Sequence, residues 1–340
     1  MAEENLEQIS KQAQDYYKET PVIILGSGAS AAFNMSGMWD LSQHLIKNIS
    51  PTDLSPQEQD LWNQFSDLLE SKVDLENALH QVSLSSVLTE RVLMSTWNLL
   101  VPQDLAVFEQ SLKEPDLFAL GKLLKHMFRS TRNELNIISP NYDRLAEYAC
   151  EQENLHHYSG FSHGYRKHHI GKDYLKCARQ VNIWKVHGSL DWFVNKKGII
   201  SALGNVEKIP GGLKPLIVTP GIEKYRNTHR EPYKTVIHES DDVIDAATSY
   251  LCVGFGFNDE HIQEKLVNRC AKEDAKVMVV THKLSDSAKN FLFEGDIKNY
   301  LAIEVGDNDN KSIIYSSLHA DPIYLNGNYW SLDGFLNLIM

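Results

Sequence analysis

The chain has 340 residues, enough for one large core or two modest ones, and its 42% hydrophobic and 23% charged residues are typical of a globular protein. The formal net charge of -12 argues against nonspecific binding to nucleic acid or to anionic lipid. The start "MAEENLEQISKQAQDYYKE" is polar, and no apolar run approaches the roughly 18 residues of a membrane span. We therefore expect a cytoplasmic protein that binds neither membranes nor, directly, nucleic acid.

Short apolar runs predict most of the strands. They are "VIIL" from 22, "LNII" from 135, "NIWKV" from 182, "PLIVT" from 215, "SYLCVGF" from 249, "KVMVV" from 276 and "LAIEV" from 301. Unbroken apolar runs are typical of parallel strands that are covered on both faces. Amphipathic stretches such as "DEHIQEKLVNRCAKE" lie between several of them. The sequence predicts an α/β fold with a Rossmann-like open parallel sheet and helices on both faces.

Residues 41–132 break this alternation, because they contain helical stretches and no convincing strand. Ser55, Pro56 and Glu58 predict the start of one helix, with a capping serine, a proline in the first turn and an acid after it. We interpret residues 41–132 as a helical insertion within a single domain that spans 1–340.

Neither the cysteines nor the histidines predict a metal site. Cys150, Cys177, Cys252 and Cys270 are isolated and form no CxxC pair, which favours free thiols over a zinc ribbon. The histidine-rich stretch "HHYSGFSHGYRKHH" from 156 contains no carboxylate or cysteine at a regular ligand spacing. We interpret it as a polar loop near the mouth of the site.

A glycine turn follows the first strand in "VIILGSGASAAF". Gly26, Gly28 and Ala31 fit the pattern G-x-G-x-x-A, in which backbone amides approach a pyrophosphate, although a simple tight turn is the alternative. Dehydrogenases place an acid about 20 residues further on, at the end of a second strand. Asp53 has that spacing but lies in "SPTDLSP", within the helical insertion, which disfavours hydride transfer.

Two later strands also end in polar residues. In "NIISPNYDRLAEYA", Asn141 is predicted over the ligand crevice, with Asp143 beside it; a helix N-cap and a first-turn acid are the alternatives. His187 ends the strand "NIWKV" and either is a core histidine or takes part in proton transfer.

The remaining strand ends are less specific. In "LCVGFGFNDEHI", Gly256 and Asn258 contact a second part of a nucleotide, or Asn258 is only a helix N-cap. In "IVTPGIEKYR", Lys224 and Arg226 either reach a phosphate or face solvent.

Taken in order, "GSGAS", "NYD", "HGS" and "GFGFNDEHI" resemble the sirtuin-like domains of bacterial anti-phage defence proteins, over residues 21–281. Sirtuin deacylases carry a four-cysteine zinc module, which this chain lacks, and an Asp-Phe-Arg motif where it has "NMSGMWDLSQH". Their "QN-x-D" motif appears here as "PNYD". The resemblance therefore implies cleavage of NAD+ to nicotinamide and ADP-ribose, with cellular NAD+ depletion as the outcome. It implies NAD+ as substrate, with no zinc and no further cofactor.

The resemblance also implies roles for individual residues. Asn141 would orient the attacking water or the ribose, His187 would bind a ribose hydroxyl and act as general base, and Asp143 would hold Asn141 or contact the ribose. The glycine turn would cradle the pyrophosphate, and the "GFGFN" segment would face the adenosine. The residues assigned to NAD+ binding are Gly26, Ser27, Gly28, Ala29, Ser30, Gly188, Ser189, Gly256 and Asn258.

By the same resemblance, the protein forms homo-oligomers and works with a second defence protein, for which a HerA-type ATPase is favoured over an Argonaute-type partner. Two other functions stay open. A noncatalytic sensor of NAD+ or an ADP-ribose derivative would bind without turnover, and an assembly subunit would act only in a stable complex.

Overall fold

The computed structural model describes residues 2–73, 75–175, 177–218 and 230–340. In chain order its strands are β1 (Val22–Leu25), β2 (Glu134–Ser139), β3 (His157–Tyr158), β4 (Arg166–His168), β5 (Gln180–Lys185), β6 (Gly188–Asn195), β7 (Ile200–Leu203), β8 (Leu213–Ile217), β9 (Ser249–Val253), β10 (Lys276–Val280), β11 (Tyr300–Val305), β12 (Lys311–Ser316) and β13 (Ile323–Asn326).

The α-helices are α1 (Ala2–Tyr17), α2 (Ser27–Ala31), α3 (Met38–Asn48), α4 (Pro56–Glu70), α5 (Leu75–Gln81), α6 (Ser86–Ser111), α7 (Ala119–Met127), α8 (Leu145–Gln152), α9 (Tyr233–Ala246), α10 (Glu260–Val267), α11 (Asp286–Lys289) and α12 (Leu332–Ile339). A 3-10 turn covers Lys172–Tyr174, and π-helical turns at Asn268–Lys272 and Asn290–Glu294 extend α10 and α11.

The main sheet confirms the predicted fold class. In the described part of the chain it has nine strands in the order β13-β12-β11-β10-β9-β1-β2-β5-β3, and only β12 and β13 run antiparallel to their neighbours. From β1 the chain passes outward to β2 and β5, and it later returns to β9 on the other side of β1. The topological switch point therefore lies between β1 and β9, where ligands bind in open α/β sheets.

Helices cover both faces of this sheet. Alternate residues of β1 contribute to two separate buried clusters, Ile23 and Leu25 to one and Val22 and Ile24 to the other, because side chains along a strand alternate between its faces. Helices α1, α6, α7 and α12 pack on the first face, and α9 and α10 on the second.

One predicted strand lies elsewhere. Residues 215–217 of "PLIVT" lie in β8, which belongs to a separate four-stranded antiparallel sheet in the order β4-β7-β6-β8, and Thr219 lies outside the described residues. The side chains of β8 alternate in burial, as in a strand covered on one face, and do not form the continuous buried run of a parallel strand. The assignment of "PLIVT" to the parallel sheet is therefore wrong.

Between β1 and β2 the described residues form helices α2 to α7. Helices α3, α4, α5 and the first part of α6 bury side chains such as Leu45, Phe65 and Leu88 in a cluster of their own. The predicted start of α4 is confirmed, since the Ser55 hydroxyl accepts the Glu58 amide and the Glu58 carboxylate accepts the Ser55 amide. The division into one domain with an insertion at 41–132 stays a prediction.

The last helix, α12, packs against α1 and α7 and buries Phe335 and Leu338 in the core. The four cysteines are free thiols, and burial raises the pKa of Cys270 to about 12, which makes that thiol unreactive. No helix in the described ranges is both long and apolar enough to cross a membrane.

Candidate functional site

The glycine turn lies at the switch point and is locked against the loop that leaves β9. A Cβ atom on Gly26 would lie 2.3 Å from the Gly254 carbonyl oxygen, and one on Gly28 would lie 2.9 Å from the Gly254 Cα. Gly254 itself has a φ of +57°, in the left-handed region. The two glycines of the predicted motif are therefore required by close backbone contact with β9.

Three amides of this turn are already engaged within the protein, and the first is that of Gly26, which donates to the Val253 carbonyl at 3.0 Å. The Gly28 amide donates to the Gly254 carbonyl at 2.9 Å, and the Ala29 amide donates to the Gly26 carbonyl at 3.1 Å. Ser27 begins α2 and is exposed at the same edge. The roles of Ser27, Gly28 and Ala29 in binding a pyrophosphate stay predictions; of the three, Gly28 and Ala29 line the cavity described below.

Asn141 is fixed directly beside the glycine turn. Its side-chain nitrogen donates to the Gly26 carbonyl at 2.8 Å and to the Ser30 hydroxyl at 2.9 Å. Because a carbonyl oxygen only accepts, this contact fixes which end of the amide faces Gly26 and leaves Oδ1 as the acceptor for a ligand. The alternative that Asn141 caps the next helix is wrong, since Arg144 occupies the cap position of α8.

Asp143 completes a chain of hydrogen bonds with Asn141. The Ser30 hydroxyl accepts from Asn141 and donates to Oδ2 of Asp143 at 2.6 Å, while Oδ1 of Asp143 accepts the Leu145 amide at 3.2 Å. Ser30 and Asp143 are both buried. In this structure the Ser30 hydroxyl therefore links Asn141 to Asp143, and its predicted role in cradling a pyrophosphate stays a prediction.

These residues line a cavity of about 430 Å³, the size of a small-molecule pocket. Its polar lining includes Ser30, Ser139, Asn141, Asp143, Thr281 and His282, and also Asn34, Gln110, Ser331 and Asp333. Its apolar walls include Phe33, Phe118, Leu120, Trp330 and Leu332. The lining also includes Gly28 and Ala29 of the glycine turn and residues of α7 and α12, so the cavity adjoins that turn and combines hydrogen-bonding with apolar groups.

Behind the cavity, buried charges hold the Asn141–Arg144 turn. Asp104 of α6, fully buried, accepts hydrogen bonds from the Arg144 amide and guanidinium and from the Tyr148 hydroxyl. Burial by itself would lower the pKa of Arg144, but the charge and hydrogen bond of Asp104, together with Tyr148 and Asp191, outweigh it and keep that pKa above its ordinary value. From β5, the buried Lys185 ammonium donates to the Asp143 carbonyl.

Sequence reasoning missed this buried cluster. A charge within an apolar run was the available signal, since Lys185 stands in "NIWKV" and Asp104 in the helical stretch "VPQDLAVF". A charge that folding buries needs a partner, so each predicts an ionic or hydrogen-bonded contact.

His187 follows β5 at the same edge of the sheet, but it pairs with Asp259. The His187 Nε2 and the Asp259 Oδ2 lie 2.6 Å apart, and the two side chains are 17% and 9% exposed. Asp259 precedes α10, which packs on the second face, and His187 is not among the described residues that line the cavity. The structure therefore places Asn141 and His187 in two neighbouring clusters.

The other predicted NAD+-binding residues lie around these clusters. Gly188 has a φ of +85°, and a Cβ atom there would lie 2.2 Å from the Leu216 carbonyl oxygen, so its conformation is required to start β6. Ser189 is fully buried, with its hydroxyl 3.5 Å from the Tyr142 carbonyl oxygen.

Gly256 and Asn258 lie in the loop between β9 and α10. The Gly256 carbonyl accepts the Ser285 hydroxyl at 2.5 Å, and Asn258 is exposed. The alternative that Asn258 caps α10 is wrong, because Asp259 is the capping residue. The assignment of Gly188, Ser189, Gly256 and Asn258 to NAD+ binding stays a prediction.

Within the described ranges, no three His, Cys, Asp or Glu side chains meet at a point that could hold a metal ion. In the histidine-rich stretch, His157 pairs with Glu151 at 3.2 Å, and the His169 Nδ1 lies 2.8 Å from the Gly160 carbonyl oxygen. Lys224 and Arg226 lie outside the described residues.

Residues 135–296 match the family model of the SIR2-like domain. The predicted resemblance to sirtuin-like domains is therefore confirmed for this part of the chain. The matched residues include Asn141, His187 and Asp259, while the glycine turn precedes them. No curated protein matched the chain.

Several solved structures are similar at low identity. One, described as "Structural Basis for the Mechanism and Regulation of Sir2 Enzymes", has 15% identity and a TM-score of 0.42 over 82% of this chain and 88% of that chain. A Sir2 homologue in complex with NAD has 14% identity and a TM-score of 0.42, over 89% and 88%. A mutant Sir2 homologue in complex with 2'-O-acetyl ADP ribose has 13% identity and a TM-score of 0.41, over 88% and 90%.

Proposed function

We propose that this protein is an NAD+ glycohydrolase, which converts NAD+ and water to nicotinamide, ADP-ribose and a proton. The observation that carries the proposal is the fixed side chain of Asn141 beside the glycine turn, with Oδ1 left to accept a hydrogen bond from water or a ribose hydroxyl. The match of residues 135–296 to the SIR2-like domain supports it.

The proposed reaction breaks the bond between the ribose C1' and the pyridinium nitrogen. The bonding electrons stay on the nitrogen, so nicotinamide leaves neutral and the ribose becomes oxocarbenium-like until water adds to C1'. Because the leaving group is already activated, the protein has mainly to position the reactants and exclude bulk water. Asn141 orients the water or the ribose, and the Phe33 and Phe118 side of the cavity excludes solvent.

The proton released by the attacking water goes to His187 in this proposal. His187 stands outside the cavity lining but at the same edge of the sheet, so the proton reaches it through a ribose hydroxyl or one bridging water. Asp143 contributes through Ser30, whose hydroxyl it holds against Asn141. The glycine turn holds the pyrophosphate of NAD+, and the "GFGFN" segment faces its adenosine.

We also propose a biological setting, on the strength of the motif resemblance. The protein would be an effector of anti-phage defence that forms homo-oligomers, is released by a HerA-type ATPase or, as second choice, an Argonaute-type partner, and depletes cellular NAD+ once active. NAD+ levels and phage plating in cells that carry the wild type or Asn141→Ala measure this role.

The first test is nicotinamide release from NAD+ by the purified protein, alone and with the protein encoded beside it. We expect equal amounts of nicotinamide and ADP-ribose from the wild type, and a loss of about 10²-fold or more with Asn141→Ala, since that variant removes the orienting amide. The matched control is Asn63→Ala, an exposed asparagine on α4, which should leave the rate unchanged.

Three results would overturn the proposal. Full activity in Asn141→Ala would remove that residue from the reaction. NAD+ binding without release of nicotinamide, with or without the partner, would favour the noncatalytic sensor, and a stable complex without NAD+ binding would favour an assembly subunit.

A further inference from the structure

The contact between His187 and Asp259 joins two strands that are not neighbours. His187 follows β5 and Asp259 follows β9, with β1 and β2 between them, and the two residues are 72 positions apart. Their side chains are largely shielded from solvent, and 2.6 Å is a short distance for a nitrogen and an oxygen. Short, shielded bonds of this kind fix the orientation of an imidazole ring.

Asp259 is itself held in place by both its neighbours and its helix. Its Oδ1 accepts the Ile262 amide at 3.2 Å and caps α10, so only Oδ2 faces His187. Two residues before it, Phe257 is fully buried with a φ of +57° and stacks on Phe291 at 4.6 Å between ring centroids. A bulky residue keeps a left-handed conformation only where its packing enforces it, so this loop has a defined shape.

We propose that Asp259 is the positioning residue of the general base, an inference that rests on the proposed function. The Asp259 carboxylate accepts the proton on Nε2 of His187 and thereby holds the imidazole in the Nε2–H tautomer. The lone pair of Nδ1 then receives the proton that the attacking water releases, through the ribose hydroxyl or the bridging water. Asp259 stays ionised throughout and stabilises the imidazolium that forms.

Capping alone does not account for Asp259. A helix N-cap needs one acceptor oxygen, which serine, threonine or asparagine also supplies. A carboxylate differs from these side chains in having a second oxygen that only accepts hydrogen bonds. In Asp259 this second oxygen, Oδ2, faces His187. The amide of asparagine would keep the cap through its oxygen but would present an N–H donor to Nε2 of His187. This contact favours the tautomer with the proton on Nδ1, and Nδ1 then has no lone pair with which to accept a proton.

The experiment compares Asp259→Asn with Asp259→Glu and a matched control. The control is Asp241→Asn, because Asp241 forms a similar pair with His261 at 2.7 Å on helices α9 and α10. We expect Asp259→Asn to lower kcat for nicotinamide release by about 10²-fold or more, with KM changed less than about threefold. Asp259→Glu keeps the carboxylate and should recover part of kcat, and Asp241→Asn should match the wild type.

The tautomer itself is measured in the free protein by ¹⁵N NMR at about pH 8.5, two units above the ordinary pKa of histidine. Loss of one ring signal in His187→Gln identifies the resonances of His187. We expect the Nε2–H form in the wild type and in Asp259→Glu, and the Nδ1–H form in Asp259→Asn.

The Nδ1–H form in the wild type, or a wild-type kcat in Asp259→Asn, would overturn the inference. A wild type that releases no nicotinamide under any condition would instead overturn the proposed function, and the NMR result would still decide what Asp259 does to His187.

Discussion

The four-residue turn from Asn141 to Arg144 is held from two sides by different chemistry. On the cavity side, Asn141 and Asp143 are joined through the Ser30 hydroxyl in a chain of short side chains. On the far side, Asp104 and Lys185 hold the backbone and side chain of the same turn with buried charges.

The two sides differ in what their loss would cost. The cavity-side groups are small and form few bonds each, so removing one disturbs the orientation of Asn141 and little else. On the far side, removing one charge leaves its partner buried without compensation, which is a large cost in stability. We therefore expect changes on the cavity side to affect mainly the reaction, and changes on the far side to affect mainly the stability of the turn.

The largest effect is expected from Asp104→Ala, on the far side. It leaves the Arg144 guanidinium buried without its carboxylate, and the free energy of unfolding should fall by about 3–5 kcal/mol in urea denaturation followed by circular dichroism. Glu109→Ala, which replaces an exposed acid on the same helix, is the control.

The double variant Asp104→Leu/Arg144→Leu tests the cause of this loss. Because replacing both charges is often nearly neutral, the double variant should regain part of the lost stability. No recovery would mean that α6 is destabilised by something other than the unpaired charge.

A smaller effect on stability is expected from Ser30→Ala, on the cavity side. The variant removes the hydroxyl between Asn141 and Asp143, so the free energy of unfolding should fall by about 1–2 kcal/mol, and nicotinamide release should fall roughly tenfold. Ser42→Ala is matched in burial and loses only a bond to the Met38 carbonyl within α3, so it should leave activity unchanged. A stability loss as large as that of Asp104→Ala would contradict the division between the two sides.

The smallest effect is expected from Ser55→Ala, far from the turn in α4. It removes a helix cap and should cost about 1 kcal/mol or less, with nicotinamide release unchanged. Thermal unfolding and the release assay measure both quantities. A fall in activity without a matching fall in stability would show that the helices between β1 and β2 act on the site.

The strands of the parallel sheet could be predicted because burial on both faces makes them uninterrupted apolar runs, as in β1, β9 and β10. The antiparallel sheet could not be predicted as a unit, since its strands are joined by local pairings that an apolar run does not reveal. "PLIVT" was predicted as one more parallel strand for that reason, whereas β8 pairs with β6.

The same limit applies to the site. The contact of Asn141 with the glycine turn was predictable because β1 and β2 are neighbours, which brings their carboxyl ends together. The partner of His187 was not predictable, because β1 and β2 lie between β5 and β9 in the sheet. Only the path of the loop after β9 brings Asp259 within hydrogen-bond distance of His187. Asp104 was missed because periodicity assigns a helix face and says nothing of a salt bridge to Arg144.

The contact between Gly26 and Gly254 has a mechanical consequence. Where side chains interlock, a rotamer change can release them, but here the atoms in contact belong to the backbone, which has no such freedom. We therefore expect the loop after β1 and the loop after β9 to move together. The Asn141 side chain is bonded to the first loop and Asp259 belongs to the second, so the main-chain contact between the loops couples the two clusters.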